Sequence, residues 1–174
     1  MTYLLIVAAV VVVLAVLAGL RRGKAEAGTE ADLPYRRKDY LLTKAERAFY
    51  EVLRRTVGPE WTVLAKVRLL DLVWLPKGTP NPQSWRNRVQ SKHADFVLCR
   101  TETMSPELVI ELDDASHERA DRRARDAFVD RVLEAAGLPV LHVPAREGYV
   151  QRELAERIED LITSQAIETA DGRR

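Results

Sequence analysis

Residues 94–113 read ADFVLCRTETMSPELVIELD. Two apolar runs, Ala94–Arg100 and Glu107–Asp113, flank a polar loop over Thr101–Pro106. Short apolar runs joined by a turn predict a β-hairpin. The acids inside those runs need a reason, because an unpaired charge in apolar surroundings is costly. Glu111 and Asp113 are two apart, so the strand period puts both on one face and Leu112 on the other. Asp95 begins the preceding strand and approaches them across the sheet. Like charges that close repel, and burial increases the cost. A divalent cation relieves the conflict, and oxygen donors on adjacent strands suit magnesium or manganese, with Asp95, Glu111 and Asp113 as ligands. The competing reading pairs these acids with Arg119, Arg122, Arg123 and Arg125, which follow on the next helix.

Outward from the hairpin, Thr43-x-x-Glu46 is a capping box, and Ala45, Phe49, Val52 and Leu53 share one helical face before Gly58-Pro59 stops the helix. Residues 61–69, WTVLAKVRL, alternate as a strand. Residues 71–93 hold Pro76, Gly78, Pro80 and Pro82 and are expected to be largely loop, long enough to be functional. A charged helix is expected over 118–136, ended by Gly137, then a strand over 138–143, LPVLHV. A last amphipathic helix is expected over 149–162, followed by a flexible tail over 164–174. The order α-β-β-β-α-β predicts an α/β domain over 41–163, with a mixed central sheet flanked by helices.

Residues 3–20, YLLIVAAVVVVLAVLAGL, carry no charge and reach the lower limit for a spanning helix. No basic residue precedes Tyr3, whereas Arg21, Arg22 and Lys24 follow the apolar run. This charge order favours an uncleaved anchor at residues 1–20 over a signal peptide, and puts the C-terminal part on the cytoplasmic side. The expectation is a single-pass inner-membrane protein that contacts the bilayer through residues 3–20, with a linker over 21–40. A net charge of +1 excludes a strongly basic nucleic-acid coat protein. One cysteine, Cys99, excludes a disulfide scaffold and a multi-cysteine zinc site, and its apolar run predicts a buried, inert thiol.

The element order resembles the core of the restriction-endonuclease-like fold, the PD-(D/E)xK nucleases. DFVLC (95–99) and VIELDDASH (109–117) are similar to segments of very-short-patch-repair-like endonucleases. LLTKAERAFYEVL (41–53), KHADFVLC (92–99) and RDAFVDRVLEAAGLPVLHV (125–143) resemble, more closely still, a bacterial domain family of unknown function whose members often carry an N-terminal membrane helix. The resemblance covers about residues 41–145. It implies that Asp95 is the first metal-binding Asp and Glu111 the acid of the (D/E)xK element. Asp113 then occupies the place of the lysine, which puts ordinary nuclease chemistry in doubt. His117, with a reference pKa near 6.5, is a candidate general acid or base. Lys92 is the nearest lysine before Asp95. Glu46 matches an accessory metal ligand of some relatives, although its capping role explains it equally. His142 alternates with core residues and reads as structural.

Basic residues suggest a nucleic-acid surface. Arg119, Arg122 and Arg123 lie early in a helix, where cations are disfavoured unless an anion is near. The alternative there is a solvated helix laced with i,i+4 pairs. Arg86 and Arg88 follow Trp85, which either stacks on a base or covers the sheet edge. The expected function is a membrane-anchored, magnesium- or manganese-dependent hydrolase of nucleic-acid phosphodiester bonds. The rival is a non-catalytic module of the same fold that binds nucleic acid or a protein partner at the membrane. A third reading is a structural membrane protein whose acids only pair with arginines.

Overall fold

The computed structural model describes residues 33–113 and 120–171 together with Tyr3, Val12 and Val13, and the side chains of all of these except 120–126 and 168–171. The chain divides into two compact units, Met1–Asp39 and Tyr40–Arg174. In the first, Tyr3, Val12 and Val13 are helical and exposed, and residues 33–39 are irregular. The span expected over 3–20 and most of the linker lie outside the described residues. Among the described residues no helix is long and apolar enough to cross a membrane.

The second unit is a mixed α/β domain. Helix α1 (Lys44–Thr56) starts on the expected capping box: Glu46 N–H donates to Thr43 Oγ1 at 3.3 Å, and Thr43 N–H donates to Glu46 Oε2 at 2.8 Å. It buries Phe49 and Leu53 and ends as the chain turns extended at Val57. Strand β1 (Trp61–Arg68) follows, then a single helical turn, α2 (Leu69–Leu72). Helix α3 (Pro82–Val89) lies within the stretch expected to be largely loop. The expectation treated proline as a breaker, whereas Pro82 stands in the first turn, where its missing N–H is not needed and its fixed φ suits the helix. Strands β2 (His93–Arg100) and β3 (Pro106–Asp113) form the expected hairpin. Helix α4 (Ala120–Ala135) leads through Gly137, at φ +69°, into β4 (Val140–Pro144). Helix α5 runs over Gln151–Asp171, past the end expected at 162 and into the expected tail.

The sheet order is β1-β2-β3-β4, antiparallel through β3, with β4 parallel to β3. Each face is covered. Phe49 and Leu53 of α1 and Leu154 and Ile158 of α5 pack on Phe96, Leu98, Leu108, Ile110, Leu141 and Val143. On the other face, Leu69, Val89, Leu133 and Leu138 pack on Ala94, Val97, Cys99 and Val109. Burying each Leu, Ile or Phe contributes roughly 1.5–3 kcal/mol, so β2 and β3, buried on both faces, anchor the domain. Cys99 is 2% exposed, in line with a thiol used for packing.

Candidate functional site

The register aligns four chemistry-bearing residues in one row across the sheet. Ala65 pairs with Phe96 and Val67 with Ala94, so Lys66 stands opposite Asp95. Phe96 pairs with Ile110, so one step further along Asp95 faces Glu111. Glu111 in turn pairs with His142 on β4. The row Lys66–Asp95–Glu111–His142 therefore takes one residue from each strand, with a lysine and a histidine at its ends and carboxyls between them.

Lys66 has φ +56° in the middle of a strand. A left-handed conformation costs a non-glycine residue roughly 1–2 kcal/mol. Its effect is visible in the packing. Leu64 and Val67 are three apart, yet both pack on the second cluster, whereas strict alternation would separate them. Ala94 and Val97 on β2 show the same slip. Ala65 and Phe96 stay with the first cluster, and Lys66 and Asp95 meet Glu46 of α1.

Lys66 Nζ donates to Glu46 Oε1 at 2.6 Å and to Asp95 Oδ1 at 2.7 Å. Asp95 Oδ2 accepts the Leu112 N–H at 3.1 Å, which ties β2 to β3 through a side chain. The three side chains of the ion pair are 14–30% exposed, so water screens them less than it would a surface pair. Burial pushes the Lys66 pKa down, but hydrogen bonds and charge from Asp95 and Glu46 outweigh it and hold the ammonium above its usual range. Burial likewise pushes Glu46 up, and the Lys66 and Thr43 hydrogen bonds bring it below the ordinary carboxylate value. The Glu46 carboxylate thus serves the helix cap with one oxygen and Lys66 with the other.

Glu111 is the opposite case. Burial, then the charge of Asp95, push its pKa up to about 8, against a smaller pull from Lys66. Among the described residues no ion pair reaches its carboxyl. His142 is held at both ring nitrogens, with Asp113 Oδ1 3.2 Å from Nδ1 and Asp130 Oδ1 3.3 Å from Nε2. Burial disfavours its charge, but the Asp113 hydrogen bond and the two carboxylates outweigh that and raise its pKa. The imidazolium form suits this setting, since both N–H groups then donate to carboxylates.

A cavity of about 430 Å³ is lined by Glu46, Lys92, His93, Asp95, Glu111, Asp113, Asp130 and His142, among others; Lys66 touches it only through its partners Glu46 and Asp95. Of the residues singled out in the sequence, Asp95, Glu111, Asp113 and Lys92 come together here. His117 and Arg119 lie outside the described residues. Arg122 and Arg123 fall in α4, at positions whose side chains are not described. Arg86 and Arg88 are on α3, away from the cavity lining. The cations that meet Asp95 and Asp113 are Lys66 and His142, and neither pairing was foreseen. Lys66 had one sequence signal, a charge inside the alternating run WTVLAKVRL. Asp130 had none, because two residues from Phe128 and Val132 a helix presents its polar face.

The donors fit a hard divalent cation in kind: Asp95 and Glu111 are carboxylates on adjacent strands, and among the described residues Glu111 makes no ion pair. Magnesium is commonly held by one or two carboxylates, with water or phosphate oxygens completing its shell. A three-ligand protein cage is a different matter. Among the described residues no three His, Cys, Asp or Glu side chains are grouped to hold a metal; Lys66 engages Asp95 and His142 engages Asp113.

The fold and the cavity define a mixed α/β domain with an acid cluster at the centre of its sheet, met from either side by a lysine and a histidine. The chain belongs to the DUF2726 family, a protein family of unknown function, whose profile matches residues 38–161. Comparisons with curated proteins and with solved structures gave no match.

Proposed function

We propose that this domain hydrolyses nucleic-acid phosphodiester bonds with the help of a divalent cation, on a restriction-endonuclease-like core. The carrying observation is the row Lys66–Asp95–Glu111–His142. The order α1-β1-β2-β3-α4-β4, antiparallel through β3 and then parallel, supports the fold assignment. The sequence lacks a lysine two residues after Glu111, where Asp113 stands. Lys66 offers the same positive charge from β1, held against Asp95 at 2.7 Å.

Asp95 and Glu111 would hold magnesium or manganese, with Asp113 joining them once it parts from His142. The bound cation supplies a lower water pKa and charge stabilisation on the phosphoryl group. Lys66 pairs with Asp95 and fixes its carboxylate. Glu111, whose pKa burial raises to about 8, would hold the cation as a carboxylate, its proton passing to solvent. His142 bridges Asp113 and Asp130, and Lys92 lines the same cavity. His117 remains a candidate proton carrier. A single N-terminal span over 3–20, with the domain on the cytoplasmic side, completes the reading.

The test is cleavage of single- and double-stranded DNA and RNA with magnesium or manganese. Wild type is expected to cleave at least one, and Glu111→Gln and Lys66→Met none. Absence of cleavage by wild type on every substrate, with no manganese binding by calorimetry, would sink the reading. A second reading, a non-catalytic module of this fold, draws on the Asp95 carboxylate having both oxygens already engaged. It expects nucleic-acid or protein binding that is indifferent to manganese.

A further inference from the structure

A second feature lies beside the acid cavity. Two adjoining clefts, about 320 and 490 Å³, share Val73, Trp74, Leu75, Trp85, Phe128 and Val132. Trp74 is 80% exposed and Trp85 45% exposed. The Arg88 guanidinium carbon lies 3.9 Å from the Phe128 ring centroid and 5.0 Å from that of Trp85. This contact with both rings fixes the guanidinium plane at the cleft wall. Arg86 and Arg131 line the clefts as well. The segment from Leu72 to Lys92 carries four basic residues and no acidic one. An exposed indole pair within such a segment complements a polyanion that also presents flat apolar faces.

We propose that these clefts bind single-stranded nucleic acid, with bases stacked on Trp74 and Trp85 and phosphates on Arg86, Arg88 and Arg131. Base faces are buried in a duplex and available in a single strand, so aromatic platforms select unpaired segments. The clefts and the acid cavity share no lining residue, but two elements border both. On α4, Phe128 and Val132 line the clefts while Val129 and Asp130 line the cavity. The basic segment begins at the clefts with Val73 and Trp74 and ends at Lys92 on the cavity wall. The proposal rests on the nucleic-acid reading above, but on neither metal nor hydrolysis.

The experiment is an indole fluorescence titration of the full chain in non-ionic detergent with EDTA, which holds off cleavage. The probes are oligothymidylate, a blunt duplex of equal length and phosphatidylglycerol vesicles. Oligothymidylate is expected to quench the indoles and the duplex to bind at least tenfold more weakly. Trp74→Ala and Trp85→Ala should each weaken oligothymidylate binding roughly tenfold or more. Arg86→Gln should flatten the salt dependence by about 0.7 in log–log slope. Circular dichroism checks that each variant folds, and Trp74, being so exposed, is the safer of the two aromatic substitutions. No quenching by oligothymidylate, equal affinity for the duplex, or a response to vesicles alone would overturn the proposal. The two readings fail separately: binding without cleavage sinks only hydrolysis, and cleavage insensitive to both tryptophan variants sinks only the stacking site.

Discussion

Lys66 stands directly across from Asp95 in the β1–β2 ladder, and its ammonium lies 2.7 Å from the Asp95 carboxylate. The lysine reaches that position through a left-handed backbone that breaks the alternation of both strands. Here the backbone and side-chain requirements of one residue conflict, and the conflict can be measured.

Substituting Lys66 should separate the two contributions. Lys66→Ala removes the ammonium and keeps the backbone penalty. Lys66→Gly removes both. Glycine is expected to be more stable than alanine here by about 1 kcal/mol, the reverse of the usual order in a strand. Both should be less stable than wild type, because Asp95 and Glu46 lose their counter-charge. Urea unfolding of the three proteins is the measurement, and alanine more stable than glycine would refute the strained-backbone account.

Glu111 predicts a pH dependence of stability in the metal-free protein. Its pKa is raised from 4.5 to about 8 on folding. The folded state therefore holds this proton more tightly than the unfolded chain does. The associated stability is fully present below pH 4.5 and is lost as pH rises through about 8. Glu111→Gln cannot ionise, so it should lose this slope and exceed wild type above pH 8. At about 1.4 kcal/mol for each pKa unit, the difference reaches a few kcal/mol. Chemical denaturation at a series of pH values gives the answer, and an acidic-side rather than alkaline-side gain would contradict it.

His142 titrates in the same sense for a different reason. Its pKa is raised against burial by Asp113 and Asp130, so its contribution is complete below the ordinary histidine value of 6.5 and fades as pH rises through the elevated one. Imidazole NMR should show the double variant Asp113→Asn, Asp130→Asn titrating at lower pH than wild type. An unchanged midpoint would mean that the carboxylates do not hold the ring.

Manganese should reverse the behaviour of Glu111. If the cation binds at Asp95 and Glu111, its affinity rises with pH as the Glu111 proton leaves, and binding releases that proton. Calorimetry in buffers of different ionisation enthalpy measures the release. It should vanish in Glu111→Gln.

The acids were legible in the sequence because charges within apolar runs are conspicuous, and period-two spacing needs no tertiary information. The hairpin and the capping box were legible for the same local reason. Lys66 escaped notice because its role depends on a φ that no pattern in WTVLAKVRL encodes, and on pairing with a strand about thirty residues away. The structural reading of His142 follows from its alternation with Leu141 and Val143, but its ring partners come from β3 and α4 and are not visible in that pattern. Pro82 was read as a stop when it opens a helix.

The divided carboxylate of Glu46 ties the edge of the cavity to the first turn of α1. Any displacement of Lys66 from Glu46, whether by an arriving cation or by a phosphate, removes the tether on Oε1 and leaves only the cap on Oε2. Occupancy of the acid cluster should therefore be audible at a distance, as faster amide hydrogen exchange in the opening turn of the helix.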